Sequence, residues 1–202
     1  MEPIIIVSGL PRSGTSMMMK MLEAGGLDPL IDNIRQADKD NPKGYYEFER
    51  VKALPKGDTA WLPDAGGKVV KIISALLEHL PVDYQYQVIF MRRNMDEILA
   101  SQRKMLDRRG EKQDDIADEK WKQMYGDHLY KVENMLKERS CFHPLYVHYN
   151  MMLQDPGEQA KRVLAFLNKP LDLQRMVSVV DPSLYRQRGT FWGRLKRLIG
   201  LR

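Results

Sequence analysis

The feature that most restricts this chain is the passage from Ile4-Ile5-Ile6-Val7 into Gly9-Leu10-Pro11-Arg12-Ser13-Gly14-Thr15-Ser16. A continuous run of β-branched apolar residues reads as a strand buried on both faces. The two glycines then permit a tight turn, after which Met17, Met18, Met21 and Leu22 recur at helical spacing within residues 14–24. A strand that turns straight into a helix aims unpaired backbone N–H groups, backed by the helix dipole, at whatever lies over the turn. Such a unit belongs in a parallel α/β sheet and makes an anion site. The methionines read as core filler.

The loop follows the triphosphate-binding pattern G-x-x-x-x-G-K-[ST] at both glycines and at the final hydroxyl, but Thr15 stands at the lysine position. Arg12, inside the loop, supplies a permanent positive charge and a planar fork of donors. The expected ligand is a phosphate-rich anion that is not handled by the usual lysine and metal chemistry.

Further along, strands are expected at 68–73, 86–91 and 145–148 after the first at 4–8, with helices at 95–106, about 117–138 and 157–167 and a short helix at 47–54. Strands alternating with helices give a three-layer α/β/α fold with a central, mostly parallel sheet. At 202 residues, with no repeat or linker, the chain is expected to form one domain over residues 1–202. The irregular segment 28–67 and the charged and helical segment 107–138 are expected to serve as acceptor-side or lid segments.

With 43% hydrophobic and 29% charged residues the composition is that of a globular protein. The apolar run at 3–7 is too short to cross a bilayer and lacks the flanks of a signal peptide, so a cytoplasmic location is expected. A single cysteine, Cys141, cannot form an internal disulfide, and the sparse His and Cys show no metal-ligand spacing, so no metal site is expected. The net charge of +5 comes from basic residues mostly interleaved with acids, which a nucleotide ligand explains without nucleic acid. The tail 186–202 alone is one-sided, with Arg186, Arg188, Arg194, Lys196, Arg197 and Arg202 and no acid. It reads as a basic helix packed on its own domain, with contact to an anionic membrane as the less favoured alternative.

The third strand ends in Arg92-Arg93-Asn94, and Ser101 lies eight residues past Arg93. Ligands of open α/β sheets lie beyond the carboxyl ends of the strands, which puts Arg93 on the same edge as the loop. Arg93 and Ser101 either hold a second phosphate or form an ordinary helix start.

Taken together, these motifs resemble the sulfotransferases that use 3′-phosphoadenosine 5′-phosphosulfate (PAPS). That family has a P-R-S-G-T-[ST] loop, matched by Pro11-Arg12-Ser13-Gly14-Thr15-Ser16, and a strand ending in R-[ND]-x-x-[DE]-x-x-x-S, matched from Arg93 through Glu97 to Ser101. Its Y-E-D-L-L-x-D-P stretch is similar to residues 149–156, although Asn150 and Met151 replace the acidic pair, and its basic C-terminal segment is similar to Arg186-Gln187-Arg188-Gly189. The resemblance implies a phosphosulfate loop made by Pro11, Arg12, Ser13, Gly14, Thr15 and Ser16. It implies a 3′-phosphate held by Arg93 and Ser101 with help from Arg186 and Arg188, and an adenine near Tyr149. The reaction implied is in-line sulfuryl transfer from PAPS to a hydroxyl or amine, leaving adenosine 3′,5′-bisphosphate and needing no metal.

Many cytosolic members place a basic His two residues after a Lys on the second strand. Lys71 matches the Lys, but Ile73 occupies the His position. Residues 41–49 resemble the N-P-x-G-[YF]-x-E stretch of bacterial members, and Glu47, favoured over Glu49, is the implied general base. Arg12 and Lys71 are the candidates for stabilising the transferring group, Lys71 having the alternative of simply ending a strand in solvent. His79, His128, His143 and His148 read as surface or core residues, and Trp121 and Tyr125 as a helix face packed on the sheet rather than an acceptor pocket. The acceptor, whether small molecule, carbohydrate, lipid or peptide, is not identified by any motif. Two rivals remain: a P-loop nucleotide kinase, from the same loop, and a non-catalytic PAPS- or phosphate-binding protein, from Ile73.

Overall fold

The structure is a computed structural model, and it describes residues 2–32, 34, 44–110 and 118–181. Its centre is a four-stranded, wholly parallel sheet in the order β2-β1-β3-β4, with β1 Ile4–Gly9, β2 Val69–Lys71, β3 Tyr86–Arg92 and β4 Phe142–His148. The helices are α1 Thr15–Ala24, α2 Met95–Arg109, α3 Asp118–Glu138, α4 Tyr149–Gln154, α5 Pro156–Leu167 and α6 Leu173–Ser178. Short 3-10 helices occupy Glu49–Lys56, Leu62–Ala65 and Ser74–His79. A parallel sheet needs cover on both faces, and the alternation of side chains along β1 divides the core accordingly. Ile4 and Ile6 pack with Val70, Val88, Phe90, Val132 and Leu136 on one face, whereas Ile5 and Val7 pack with Met18, Met21, Ile89, Val163 and Met176 on the other. This is the expected α/β/α layering.

Where elements differ from the sequence reading, backbone chemistry gives the reason. β4 begins at Phe142 rather than at 145, because it is an edge strand and Pro144 can sit within it opposite Val88. β2 is only three residues long: Ile73, at ψ 149, already caps the next 3-10 helix. The helix expected at 47–54 is a 3-10 helix displaced to Glu49–Lys56 and closed by Gly57 at φ 83. Only the lower part of α3 packs on the sheet. Val132 and Leu136 are buried, but Met124, two turns before Val132, is 46% exposed. Arg92, the last residue of β3, reaches Glu133 of α3 at 2.5 Å, so the turns of α3 before Glu133 rise past the carboxyl ends of the strands. Lys122 to Asp96 at 2.8 Å and Tyr125 to Gln102 at 2.9 Å hold that upper part against α2.

Candidate functional site at the carboxyl edge of the sheet

β1 and β3 are in register with Gly9 beside Met91, so the loop and Arg93 leave neighbouring strands at the same height. The loop turns through Gly9 at φ 142, Arg12 at φ 71 and Gly14 at φ 104 into the first turn of α1. Both glycines are required by packing as well as by backbone angle. A Cβ at Gly9 would lie 2.5 Å from the Met91 carbonyl oxygen, and one at Gly14 would lie 2.5 Å from Cδ2 of Tyr149. The tight turn expected of these glycines is present, and the seating of the loop on β3 and α4 constrains them further. Ser13 is 1% exposed, and its hydroxyl has no hydrogen-bond partner among the described residues.

Arg12 adopts the left-handed region, which costs a non-glycine residue roughly 1–2 kcal/mol. Its carbonyl accepts a bond from Arg93 Nη1 at 3.0 Å, and its own Nε donates to Ser101 Oγ at 2.9 Å. Residues 89 positions apart in sequence thus meet at one point. Arg93 also donates from Nε to Glu97 Oε2 at 3.0 Å, and its guanidinium lies 4.4 Å from the centre of the Tyr149 ring. Asn94 caps α2, its side chain accepting from the N–H groups of Asp96 and Glu97. The start of α2 is thus an ordinary capped helix start, and the same spacing brings Arg93 and Ser101 to Arg12 of the loop.

Tyr149 is 7% exposed, pressed between Gly14 and Arg93, and burial raises its pKa while the Arg93 charge opposes that rise. A ring so placed backs the loop. Arg186 and Arg188 lie outside the described residues, as does the rest of the basic tail.

On the β2 side, Lys71 stands beside Val7, two residues before Gly9. Its ammonium bonds the Tyr45 carbonyl, which Ser16 Oγ also approaches at 3.4 Å, and lies 3.9 Å from Glu47 Oε1. Lys71, 9% exposed at its side chain, is not a solvated strand end. Glu47 sits between Lys71 and Lys52, the latter 3.6 Å from Oε2, while Glu49 pairs with Lys52 at 2.6 Å on the more exposed side. The backbone around Glu47 is anchored by Asp32, whose N–H bonds the Glu47 carbonyl and whose carboxylate accepts from the Glu49 N–H at 2.5 Å.

One residue that the sequence left among scattered histidines is brought to this edge. His128 Nε2 lies 2.8 Å from the buried Ser74 hydroxyl, three residues beyond Lys71, and burial lowers the imidazole pKa. The signal was its place on α3 a turn beyond Met124, but only the rise of α3 past the sheet shows where that face goes. Trp121 and Tyr125 are in contact with each other, ring centres 5.5 Å apart, at the α2 side of the same upper turns. Among the described residues no three His, Cys, Asp or Glu side chains come together as a metal site, and no helix is long and apolar enough to cross a membrane.

A wholly parallel sheet of this order, with a glycine-turned loop leaving β1 and an Arg at the end of β3, is an open α/β fold whose polar side chains gather at the carboxyl edge of the strands. Residues 2–188 match the family model for the sulfotransferase domain, and the chain belongs to that family. Sulfotransferase activity is the class of reaction this membership supports. No curated protein matches the sequence. Among solved structures, a sulfotransferase domain from the curacin biosynthetic pathway is similar at a TM-score of 0.56 and 14% identity, over 100% of this chain and 99% of that one. Mouse sulfotransferase SULT7A1, solved in complex with PAP, gives 0.54 and 19%, over 89% of this chain and 62% of that one, so this chain spans less than two thirds of the mouse protein's length. A sulfotransferase domain from the olefin synthase of Synechococcus PCC 7002 gives 0.51 and 14%, over 95% and 82%. At these identities the likeness is one of fold.

Proposed function

We propose that the chain transfers a sulfuryl group from PAPS to a hydroxyl or amine acceptor, without a metal and in the cytoplasm. The observation that carries this reading is the convergence of Arg12, Arg93 and Ser101 at the mouth of the loop. One arginine beside an N–H-lined loop suits one phosphate; a second arginine and a hydroxyl delivered from another strand suit a ligand with two separated anionic groups. The bound nucleotide of SULT7A1 points the same way. The loop fits such a donor: it leads into a helix N-terminus, it carries Arg12, and it holds a buried hydroxyl, that of Ser13, without a partner among the described residues.

In this reading the residues 11–16 surround the 5′-phosphosulfate, with Arg12 and the hydroxyls of Thr15 and Ser16 as donors beside the backbone. PAPS supplies the sulfuryl group, and the bond broken joins sulfur to the oxygen of the leaving phosphate. Charge that develops on that oxygen is met by donors already in place, which is worth about 3–4 kcal/mol of barrier for each such donor. Arg93 and Ser101 bind the 3′-phosphate, Ser101 exchanging its bond from Arg12 for one to the ligand, and Arg186 and Arg188 close over it. Tyr149 contributes from beneath the loop. Glu47 takes the acceptor's proton, and Lys71, which holds both the Glu47 carboxylate and the Tyr45 carbonyl near Ser16, keeps the base beside the transferring group. Glu49, turned toward Lys52, is less suited to that task. The acceptor lies on the side of 28–67 and 107–138.

Transfer of labelled sulfate from PAPS to a panel of alcohols, phenols, sugars, amines and peptides tests the reading. Transfer that is lost in Glu47→Gln while the variant still binds adenosine 3′,5′-bisphosphate supports it. Binding without transfer to any compound makes the chain a nucleotide-binding protein instead.

A further inference from the structure

Glu97 is the member of the site that phosphate chemistry does not call for. An acid in the first turn of a helix is favoured by the dipole, and Asp96, 56% exposed at its side chain, needs no further reason. Glu97 is 3% exposed, and a buried carboxylate next to an anion site repels the ligand unless it is tied into a fixed arrangement. It is so tied. Oε2 accepts from Arg93 Nε at 3.0 Å and Oε1 from Asn150 Nδ2 at 3.3 Å.

We propose that Glu97 is a positioning residue of the nucleotide site, fixing the Arg93 guanidinium so that the loop and the 3′-phosphate edge are preset as one unit. The inference rests on the assignment of Arg93 to the 3′-phosphate made above. With Nε on Glu97 and the ring of Tyr149 at its face, Arg93 holds Nη1 against the Arg12 carbonyl. That bond steadies Arg12 in the left-handed conformation, from which its Nε reaches Ser101. A free arginine loses rotamer freedom when it closes on a ligand, and a preset one has already lost it on folding. Asn150, where the family carries an acid, keeps a donor on the second oxygen and so avoids a further negative charge behind the guanidinium. On this proposal Glu97 acts on the ligand through Arg93, and its effect must vanish when Arg93 is absent.

The test is a double-mutant cycle read by calorimetry, with adenosine 3′,5′-bisphosphate and adenosine 5′-monophosphate as probes, on the full chain carrying Glu97→Gln, Arg93→Ala or both. Glu97→Gln is expected to weaken the bisphosphate by roughly 10- to 100-fold, the range for a hydrogen bond to a charged group, and the monophosphate less. In the Arg93→Ala background it is expected to change neither. Loss of selectivity in Arg93→Ala but not in Glu97→Gln overturns this inference alone, as does an equal effect of Glu97→Gln with and without Arg93. Unaltered selectivity in Arg93→Ala overturns the 3′-phosphate reading and the inference with it. Should Glu97→Gln fail to fold, Asn150→Ala removes the outer bond and leaves the Glu97–Arg93 pair in place. It is expected to lower the same selectivity by a smaller factor and only when Arg93 is present, and an unchanged selectivity there contradicts the proposal.

Discussion

Along the β1 and β3 half of the carboxyl edge, charge is set in buried, regular structure. Arg93 and Glu97 are 8% and 3% exposed, they leave a strand end and a capped helix, and the loop between β1 and α1 is wedged against Met91 and Tyr149. Along the β2 half, Lys71 is a candidate on a strand, whereas Glu47 comes from a segment without regular structure and its neighbour Lys52 is 61% exposed. The first half, which the proposed function makes the donor side, is specified by backbone geometry, whereas the second, its acceptor side, is assembled from side chains on loops and on the overhanging turns of α3.

If that contrast is right, damage to the backbone of the donor side has the largest effect. Gly14→Val forces a side chain into Tyr149 and a β-branched residue to φ 104, and is expected to abolish bisphosphate binding and lower the melting temperature. Normal binding by this variant breaks the account of the loop. On the acceptor side, Glu47→Gln is expected to slow sulfate transfer by about 10²–10⁴ with bisphosphate affinity unchanged, because a base acts on the acceptor alone. A parallel loss of nucleotide affinity places Glu47 on the donor side and erases the division. Arg12→Ala is expected to lower transfer by about 10²–10³, the usual effect of one preorganised donor. Glu49→Gln removes an exposed pair with Lys52 worth at most about 1 kcal/mol, and its transfer rate is expected to stay close to that of the parent.

The smallest effect concerns pH. Burial holds the His128 pKa below its ordinary value, so the unfolded chain binds the proton more readily than the folded one. Stability from this group is complete above the unfolded pKa and falls as pH drops below about 6.5. His128→Gln is expected to flatten the decline in melting temperature between pH 7 and 5, and an unchanged slope removes the buried Ser74–His128 contact from the account.

The legibility of the sequence follows the same division. The loop, Arg93 and Ser101 could be read because strand-loop-helix units impose fixed spacings, and a parallel sheet brings strand ends to one edge. What the spacings could not show is that Ser101 meets Arg12, that Glu97 is buried behind Arg93, or that Tyr149 is enclosed by Gly14. Those are tertiary contacts between residues far apart in sequence, Gly14 against Tyr149 the most widely separated of them. His128 was weighed as one of the chain's four histidines, since helical periodicity places it on a face without saying that the upper turns of α3 stand clear of the sheet. The strand expected at 145–148 begins at Phe142, since an edge strand accepts Pro144.

The central claim is a donor site for a doubly anionic adenine nucleotide that works without the triphosphate loop's lysine and metal. Thermal unfolding in the presence of a chelator, with adenosine 3′,5′-bisphosphate near 100 times its Kd, tests it most directly. The account predicts a rise in melting temperature of roughly 5–10 °C, from the linkage of binding to stability in a chain of this size. A chain indifferent to the bisphosphate and stabilised only by ATP with Mg²⁺ would contradict it.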